Sequence, residues 1–428
     1  MATGLMAALR SAGHAVAAAK VGPDFVDPGY HALATGRPGR NLDAYLSGAE
    51  NLAPLAARAA GGADVLIVEG VMGLFDGVGA THDASTAAVA VALDAPVVLV
   101  VDASAMSSSV GALVHGFHSH RPDVRLAGVI LNRVGSTRHE SLLRQALEPV
   151  GVPVLGALHR HDALTWRDRH LGLVPVIEHP AEVRSSLDRL AGAITASCDL
   201  AGIMRLAAAA PRIPPVAALA TTRRVGRARV AVAGGAAFSF TYTDNIERLE
   251  AAGAELVPFD PAADPALPDA VDGLYLGGGF PEVYAPALAA NRTLLTEVRQ
   301  RVAGGLVTWA ECGGLLWLCR SLDGQHLSGA IDAEAAMTGR LTLGYRTAEV
   351  RTTNPVAAEG DVIRGHEFHY SAIHPTGSAL LLRGSGTARL GGFATPTLLA
   401  SYLHLHLGAD PVPAERFVAS AARRPAAR

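Results

Sequence analysis

The stretch TWAECGGLLWL, residues 308–318, runs from an apolar strand pattern straight into a cysteine, two glycines and the apolar start of a helix. A strand-turn-helix of this kind exposes a side chain above a sheet. Gly313 and Gly314 allow close backbone approach, and a helix N-terminus lowers a thiol pKa. Most lone cysteines are buried structural residues. Cys198 and Cys319 lie inside helical apolar patterns and fit that description, whereas its turn sets Cys312 apart. Two further stretches favour a nucleophile. GGGFPE, residues 277–282, follows a strand pattern and offers backbone N–H groups for an oxyanion, at Gly278 and Gly279 together with Gly313. SYLHLHLG, residues 401–408, offers His404 as the base a thiol needs. A His-x-His pair on a strand could instead bind metal, but no other Cys/His set has ligand spacing.

Outward from this stretch, short apolar runs alternate with helical patterns. ADVLIVEG, APVVLVVDAS, RLAGVILNRVG and VPVLGAL in the first half, then ARVAVAGG, DGLYLGGG and GGLVTWAECGG in the second, are buried-strand patterns. Continuous apolar strands between helices indicate parallel sheets covered on both faces. The expected fold class is α/β, with two domains, each a mostly parallel sheet covered by helices. A chain of 428 residues exceeds what one core usually supports. The prolines and clustered arginines of AAAAPRIPPVAALATTRRVGR read as a linker. The expected division is a first domain over 1–185, helix and linker over 186–226, and a second domain over 227–428.

A net charge of −3 makes no case for nucleic acid or an anionic membrane. The most apolar stretch, AAVAVALDAPVVLVVDASA, is broken by Asp94, Pro96 and Asp102, so it reads as a helix-strand pair and not a membrane span. No basic segment precedes an apolar run at the N-terminus, so no secretory signal is visible. Three scattered cysteines form no disulfide framework and suit a reducing cytoplasm, the expected location.

In the first half, Glu69 ends the strand VLIVEG, at the carboxyl edge where parallel sheets bind ligands. A carboxylate there can hold Mg²⁺. The chain opens with a helix over 3–10 and a strand over 15–19, followed by a charged loop carrying Lys20, Asp24 and Asp27. Two carboxylates so placed suit a metal–phosphate site, and a solvated acidic loop is an equal alternative. Lys20 could neutralise a phosphoryl group. Asn132 ends the strand GVILN, where its amide could read an adenine edge or simply form a turn. Asp76 in GLFDGVG could contact an acceptor or make its own turn.

The order GGGFPE, ECGG, YLHLH resembles the cobyrinic acid synthase branch of the class I glutamine amidotransferases. The resemblance implies that Cys312 attacks the glutamine amide with His404 as base, forming a thioester and releasing ammonia. Most class I members carry a glutamate two residues after the histidine; here His406 stands there, and the third member of the triad is unassigned. GHEFHYS, residues 365–371, also matches the branch, and His366, Glu367 and His369 either line an interface or acceptor site or form a half-buried strand. KVGPDFVDPGYH, GRPGRNLD, VEGVMGLFDG and VILNRVGS together resemble cobyrinate or hydrogenobyrinate a,c-diamide synthase, a likeness that spans nearly the whole chain. It implies a first domain resembling dethiobiotin synthetase, with a P-loop NTPase-like fold, that uses ATP and Mg²⁺ to phosphorylate a corrin carboxylate, which ammonia then amidates. It favours Asp27 and Glu69 as the metal residues, with Lys20 and Asn132 on the nucleotide. Arg37, Arg40 and Arg133, with Asp24, Asp76 and His366, are candidates for the polyanionic acceptor, or are ordinary surface residues. L-Glutamine and a corrin-ring carboxylate are the implied partners, with no nucleic acid and no membrane, and a homodimer is left open.

In that family a strand and a phosphate-binding loop precede the first helix, and no stretch here matches G-x-x-x-x-G-K-[ST]. The expectation is that a strand and loop of roughly 15–20 residues belong before Met1. Without them the chain as written would cleave glutamine poorly and amidate nothing. Three rivals remain at this stage. They are the same chemistry on Ni-sirohydrochlorin or another corrinoid, an ATP-independent glutaminase, and an inactive binding remnant.

Overall fold

The computed structural model describes all residues except 80, 161–167, 170–171, 214–218, 385 and 424–428. The chain divides into two compact units. One holds Met1–Ala44 and Gly48–Ala218; the other holds Leu219–Arg428 and takes in Tyr45–Ser47.

The first unit opens with α1 (Ala2–Ser11), β1 (Val16–Val21), α2 (Asp27–Thr35), β2 (Arg40–Leu42), α4 (Leu52–Ala60) and β3 (Val65–Glu69), while α3 (Ala44–Ser47), which falls between β2 and α4 in the chain, gives Tyr45–Ser47 to the second unit. It continues with α5 (Thr86–Ala92), β4 (Val97–Asp102), α6 (Ser109–His120), β5 (Leu126–Val134), α7 (Thr137–Leu147) and β6 (Val154–His159). A short hairpin, β7 (Asp168–Arg169) and β8 (Gly172–Leu173), then leads to α8 (Pro180–Ser197) and α9 (Leu200–Ala208). Its strands form two three-stranded parallel sheets, β2-β1-β3 and β4-β5-β6. Every residue of β1 is buried, as its apolar run requires, and Lys20 is paired in register with Glu69. Helix α1 packs closely on α8. A Cβ at Gly4 would lie 2.5 Å from Leu190 Cγ, so only glycine permits the approach.

The elements depart from the sequence reading at several ends. Lys20 belongs to β1, because its amine finds partners at the strand end and its stem stays buried. Asp27 opens α2, with Pro28 in the first turn. Asn132 lies within β5, which continues to Val134. Cys198 follows α8 as its C-cap.

The second unit carries β9 (Ala228–Ala233), α10 (Thr243–Ala252), β10 (Ala254–Phe259), β11 (Gly273–Leu276), α11 (Ala285–Ala290), α12 (Arg292–Ala303), β12 (Val307–Glu311) and α13 (Gly313–Leu318). After these come β13 (Ser321–Leu322), β14 (Gln325–His326), β15 (Glu334–Val350), β16 (Val362–His374), β17 (Leu380–Arg383), β18 (Arg389–Gly391), β19 (Phe393–Thr395), β20 (Leu398–Ser401) and α14 (Val412–Ala422). The main sheet runs β10-β9-β11-β12-β20-β19, parallel except for β19. Side chains alternate across it. Leu274, Leu276 and Ala310 enter a core with Leu315 and Trp317, while Tyr275, Trp309 and Leu399 enter another with Phe417. Each leucine or phenylalanine so buried contributes about 1.5–3 kcal/mol. Both faces are therefore covered, as the continuous apolar strands foretold. A second, mostly antiparallel sheet built on the long β15–β16 pair is an addition that the parallel pattern did not announce.

Candidate active site

In the second unit, β12 ends at Glu311 and α13 begins at Gly313, which leaves Cys312 alone on the turn with φ 46° and ψ −98°. A positive φ at a non-glycine residue stores about 1–3 kcal/mol of strain. The surrounding bonds hold it there. Cys312 N–H donates to Ser401 O at 2.8 Å, and Gly314 N–H donates to Gly277 O at 3.0 Å. A Cβ on Gly314 would come within 2.5 Å of Leu276 O, and one on Gly313 would sit 3.0 Å from Gly279 N. A Cβ on Gly278 would lie 2.5 Å from His404 Cε1. These close approaches bring together the nucleophile turn, the glycine loop and the histidine. The Gly278 N–H, however, donates to Phe240 O at 3.0 Å, which leaves Gly279 and Gly313, adjacent across the turn, as the remaining candidate oxyanion donors.

Burial pushes the Cys312 thiol above its ordinary pKa, and the charge of Glu282 adds to the effect, while the Gly313 N–H opposes it. His404 moves the other way, down to about 3, through burial and then the charge of His369. At neutral pH both groups are uncharged, a state from which the imidazole can accept a proton. His404 lies in an isolated bridge to His366 and not on a regular strand: His404 N–H donates to His366 O at 2.9 Å, and His366 N–H to His404 O at 3.1 Å. Their rings stack at 4.9 Å. His366 Nε2 is 2.8 Å from the Tyr242 hydroxyl, and burial, then His404 and His406, hold its pKa well down. His406, two residues after His404, has Nε2 3.7 Å from Asp244 Oδ2 and Nδ1 3.2 Å from Ser47 Oγ.

GHEFHYS is a buried stretch of β16, not a half-buried one, with His366 2 %, Glu367 0 % and His369 8 % exposed. Glu367 is bound by Arg346 Nε at 2.7 Å and by Arg389, and His369 stacks on Tyr402 at 3.6 Å. Cys319 is buried with its thiol on Leu315 O, and Cys198 packs against Gly156, as structural cysteines do.

In the first unit Lys20, Asp27 and Glu69 come together. Lys20 Nζ is 2.6 Å from Asp27 Oδ2, 3.9 Å from Glu69 Oε1 and donates to Gly70 O at 2.9 Å. Burial works against the Lys20 charge, but Glu69 and Asp27 outweigh it and raise its pKa. Burial likewise opposes the Glu69 charge, yet the His31 bond and Lys20 leave its pKa lowered. His31, fully buried, places Nε2 2.5 Å from Glu69 Oε2. It was quoted in the KVGPDFVDPGYH stretch without a role, because a bond across 38 residues leaves no local signal. Asp24 Oδ1 accepts the N–H groups of Val26 and Asp27, at 2.8 and 2.9 Å, so it shapes the loop. Asn41, unnoticed in the sequence, ties the same loop down through Gly22 O and Asp24 O. Asp27 and Glu69 bring two carboxylates to one ammonium, and carboxylate oxygens are the donors a magnesium ion takes.

The other candidates are dispersed. Asn132 Oδ1 accepts the N–H of Arg133, and Arg133 pairs with Asp102 at 2.8 Å on the β4–β5 sheet. Asp76 Oδ2 accepts Gly73 N–H at 2.8 Å and makes its own turn. Arg37 donates to Gly61 O, and Arg40 lies in β2. Among the described residues no set of three His, Cys, Asp or Glu side chains is arranged around one point as metal ligands, and no helix is long and apolar enough to cross a membrane.

Residues 229–412 match the CobB/CobQ-like glutamine amidotransferase domain, and residues 1–174 match the CobQ/CobB/MinD/ParA nucleotide binding domain. The chain is 47 % identical to hydrogenobyrinate a,c-diamide synthase of Streptomyces coelicolor, over 98 % of this chain and 93 % of that one. It is 49 % identical to the protein of that name from Thermobifida fusca, again over 98 % and 93 %. It belongs to the hydrogenobyrinate and cobyrinate a,c-diamide synthase family. A cobyrinate a,c-diamide synthase of Synechocystis is 40 % identical over 94 % of this chain and 86 % of its own. Within this family the second unit is the glutamine amidotransferase half and the first is the nucleotide-binding half.

Proposed function

We propose, in place of the expectation that the chain amidates nothing, that the protein amidates the a and c acetate carboxylates of hydrogenobyrinate, in cobalamin biosynthesis, with glutamine as nitrogen donor and ATP as the activating nucleotide. The observation that carries this reading is the strained Cys312 turn packed against the glycine loop and His404. The greater identity to relatives named for hydrogenobyrinate than to the one named for cobyrinate supports the metal-free ring as acceptor.

In the glutaminase half, His404 takes the Cys312 proton as sulfur attacks the side-chain amide carbon of glutamine. The amides of Gly279 and Gly313 receive the developing oxyanion. His404 returns the proton to the leaving nitrogen, which departs as ammonia and leaves a thioester that water hydrolyses. In the ligase half, Asp27 and Glu69 would hold magnesium, and Lys20 would neutralise charge on the phosphoryl group. Magnesium, when bound, supplies polarisation of the phosphate oxygens. His31 orients Glu69, and Asn41 with Asp24 keeps Asp27 at the head of α2. The ring carboxylate, activated as an acyl phosphate, accepts ammonia with loss of phosphate. We assign the ligase domain to 1–185, the linker to 186–226 and the glutaminase domain to 227–428.

The test is incubation with glutamine, ATP and Mg²⁺ and either hydrogenobyrinate or its cobalt form, followed by mass spectrometry of the ring. Two acid-to-amide conversions on the metal-free ring are expected. Conversion of the cobalt ring alone would overturn the choice of acceptor, and ammonia release with no ATP-dependent amidation would overturn the ligase assignment.

A further inference from the structure

Beyond Ser401 the chain leaves the main sheet, yet its backbone groups are still paired, by side chains. Asn245 donates to Leu405 O at 2.8 Å and accepts Leu407 N–H at 2.8 Å. Between them, Leu405 N–H donates to Glu311 Oε1 at 3.0 Å. Leu405 is the residue between His404 and His406, and Glu311 is the residue before Cys312. The other oxygen of Glu311 receives the Tyr275 hydroxyl at 3.2 Å, from the neighbouring strand β11. The carboxyl is 2 % exposed. Among the described residues no ion pair reaches this carboxyl, and a buried ionisable group so placed is costly to keep unless its place matters.

We propose that Glu311 is a positioning residue for glutamine cleavage, a side-chain strut that sets the separation of Cys312 and His404 by joining the residue before the nucleophile to the amide after the base. The inference rests on the assignment of Cys312 and His404 above. One end of the strut is fixed by β12 and by Tyr275; the other lies in a segment without a regular strand of its own, where the bond acts beside the His366 bridge to set where the imidazole sits. Burial pushes the Glu311 carboxyl up to about 8, so at neutral pH it is uncharged and adds no repulsion to the thiolate forming beside it. Glutamine is then its close isostere: the side-chain carbonyl can accept from Leu405 N–H.

The test compares glutaminase kinetics of Glu311→Gln, Glu311→Ala and Tyr275→Phe, normalised to active sites, with Cys312→Ala as control. A displacement of the base on the order of 1 Å lowers kcat about 30- to 100-fold. Glu311→Ala is expected to show that loss with KM little changed, and Glu311→Gln to restore most of the rate. Tyr275→Phe keeps the ring and loses only the hydroxyl, and is expected to slow kcat several-fold; it decides the matter if Glu311→Ala does not fold. Wild-type kcat in Glu311→Ala or in Tyr275→Phe overturns the proposal, as does a Glu311→Gln protein as slow as Glu311→Ala. Retained activity in Cys312→Ala would instead overturn the nucleophile assignment itself.

Discussion

Replacing Gly278 by alanine tests how tightly the base is held. The backbone of Gly278 is not left-handed, so alanine brings no dihedral strain of its own; its effect is steric. The new Cβ would stand 2.5 Å from His404 Cε1, 3.3 Å from Phe240 Cβ and 3.4 Å from His404 Nε2. Carbon atoms in contact sit about 3.5–4.0 Å apart, so the imidazole must retreat by about 1.0–1.5 Å. It has little freedom to do so. Its backbone is bridged to His366 on both sides, and its ring is stacked on the His366 ring. A shift of that size away from a reacting thiol costs about 100-fold in rate, while the overpacking itself destabilises by about 1–3 kcal/mol. The assay is ammonia release from glutamine, with a thermal melt of the same sample. The expected result is a kcat near one-hundredth of the parent in a folded protein. A folded Gly278→Ala protein with parental kcat would refute the placement of His404 against the glycine loop.

Other substitutions separate the two halves. Cys312→Ala should abolish glutamine-driven amidation and leave amidation from added ammonia salts intact; loss of both would contradict a division of labour between the units. Lys20→Met leaves Asp27 and Glu69 facing each other without their cation, and should lower stability by about 3 kcal/mol and end ATP-dependent amidation, while glutamine cleavage persists. His404 supplies a pH signature. Its folded pKa lies near 3, below the ordinary 6.5, so the stabilisation linked to its neutral form is present above 6.5 and lost as pH falls toward 3. The difference in unfolding free energy between the parent and His404→Gln should therefore shift against the parent, by about 1 kcal/mol per pH unit below 6.5. A pH-independent difference would show that the imidazole is not held neutral.

What could be read from residues alone was whatever repeats locally or sits at a strand end. The apolar run into Cys312 announced its turn, and VLIVEG announced the strand that Glu69 ends. The unread part is made of contacts between distant segments. His31 reaches Glu69 across 38 residues, Glu311 reaches Leu405 across 94, and neither bond alters the hydropathy pattern of its own segment. Lys20 looked like a loop residue because charge usually ends a strand; its four-carbon stem is buried in β1 and its amine is bound by Asp27 and Gly70. Gly278 promised an oxyanion donor by its position in GGGFPE, and only the fold shows its N–H taken by Phe240 O. The β15–β16 pair was hidden for a different reason: alternation along a half-exposed antiparallel strand resembles that of a polar loop.

All three cysteine thiols of this chain share one electrostatic condition, since burial raises the pKa of Cys198, Cys312 and Cys319 alike. A protein so arranged is chemically quiet at rest. Simple alkylating agents and peroxide, which need thiolate, meet almost none. In the proposed mechanism, reactivity at Cys312 is conferred by the amide that docks there as the proton passes to His404. An electrophile shaped like glutamine should thus inactivate the protein at concentrations where an unshaped one of equal intrinsic reactivity does nothing, which makes recognition, and not nucleophilicity, the route to selective covalent inhibition.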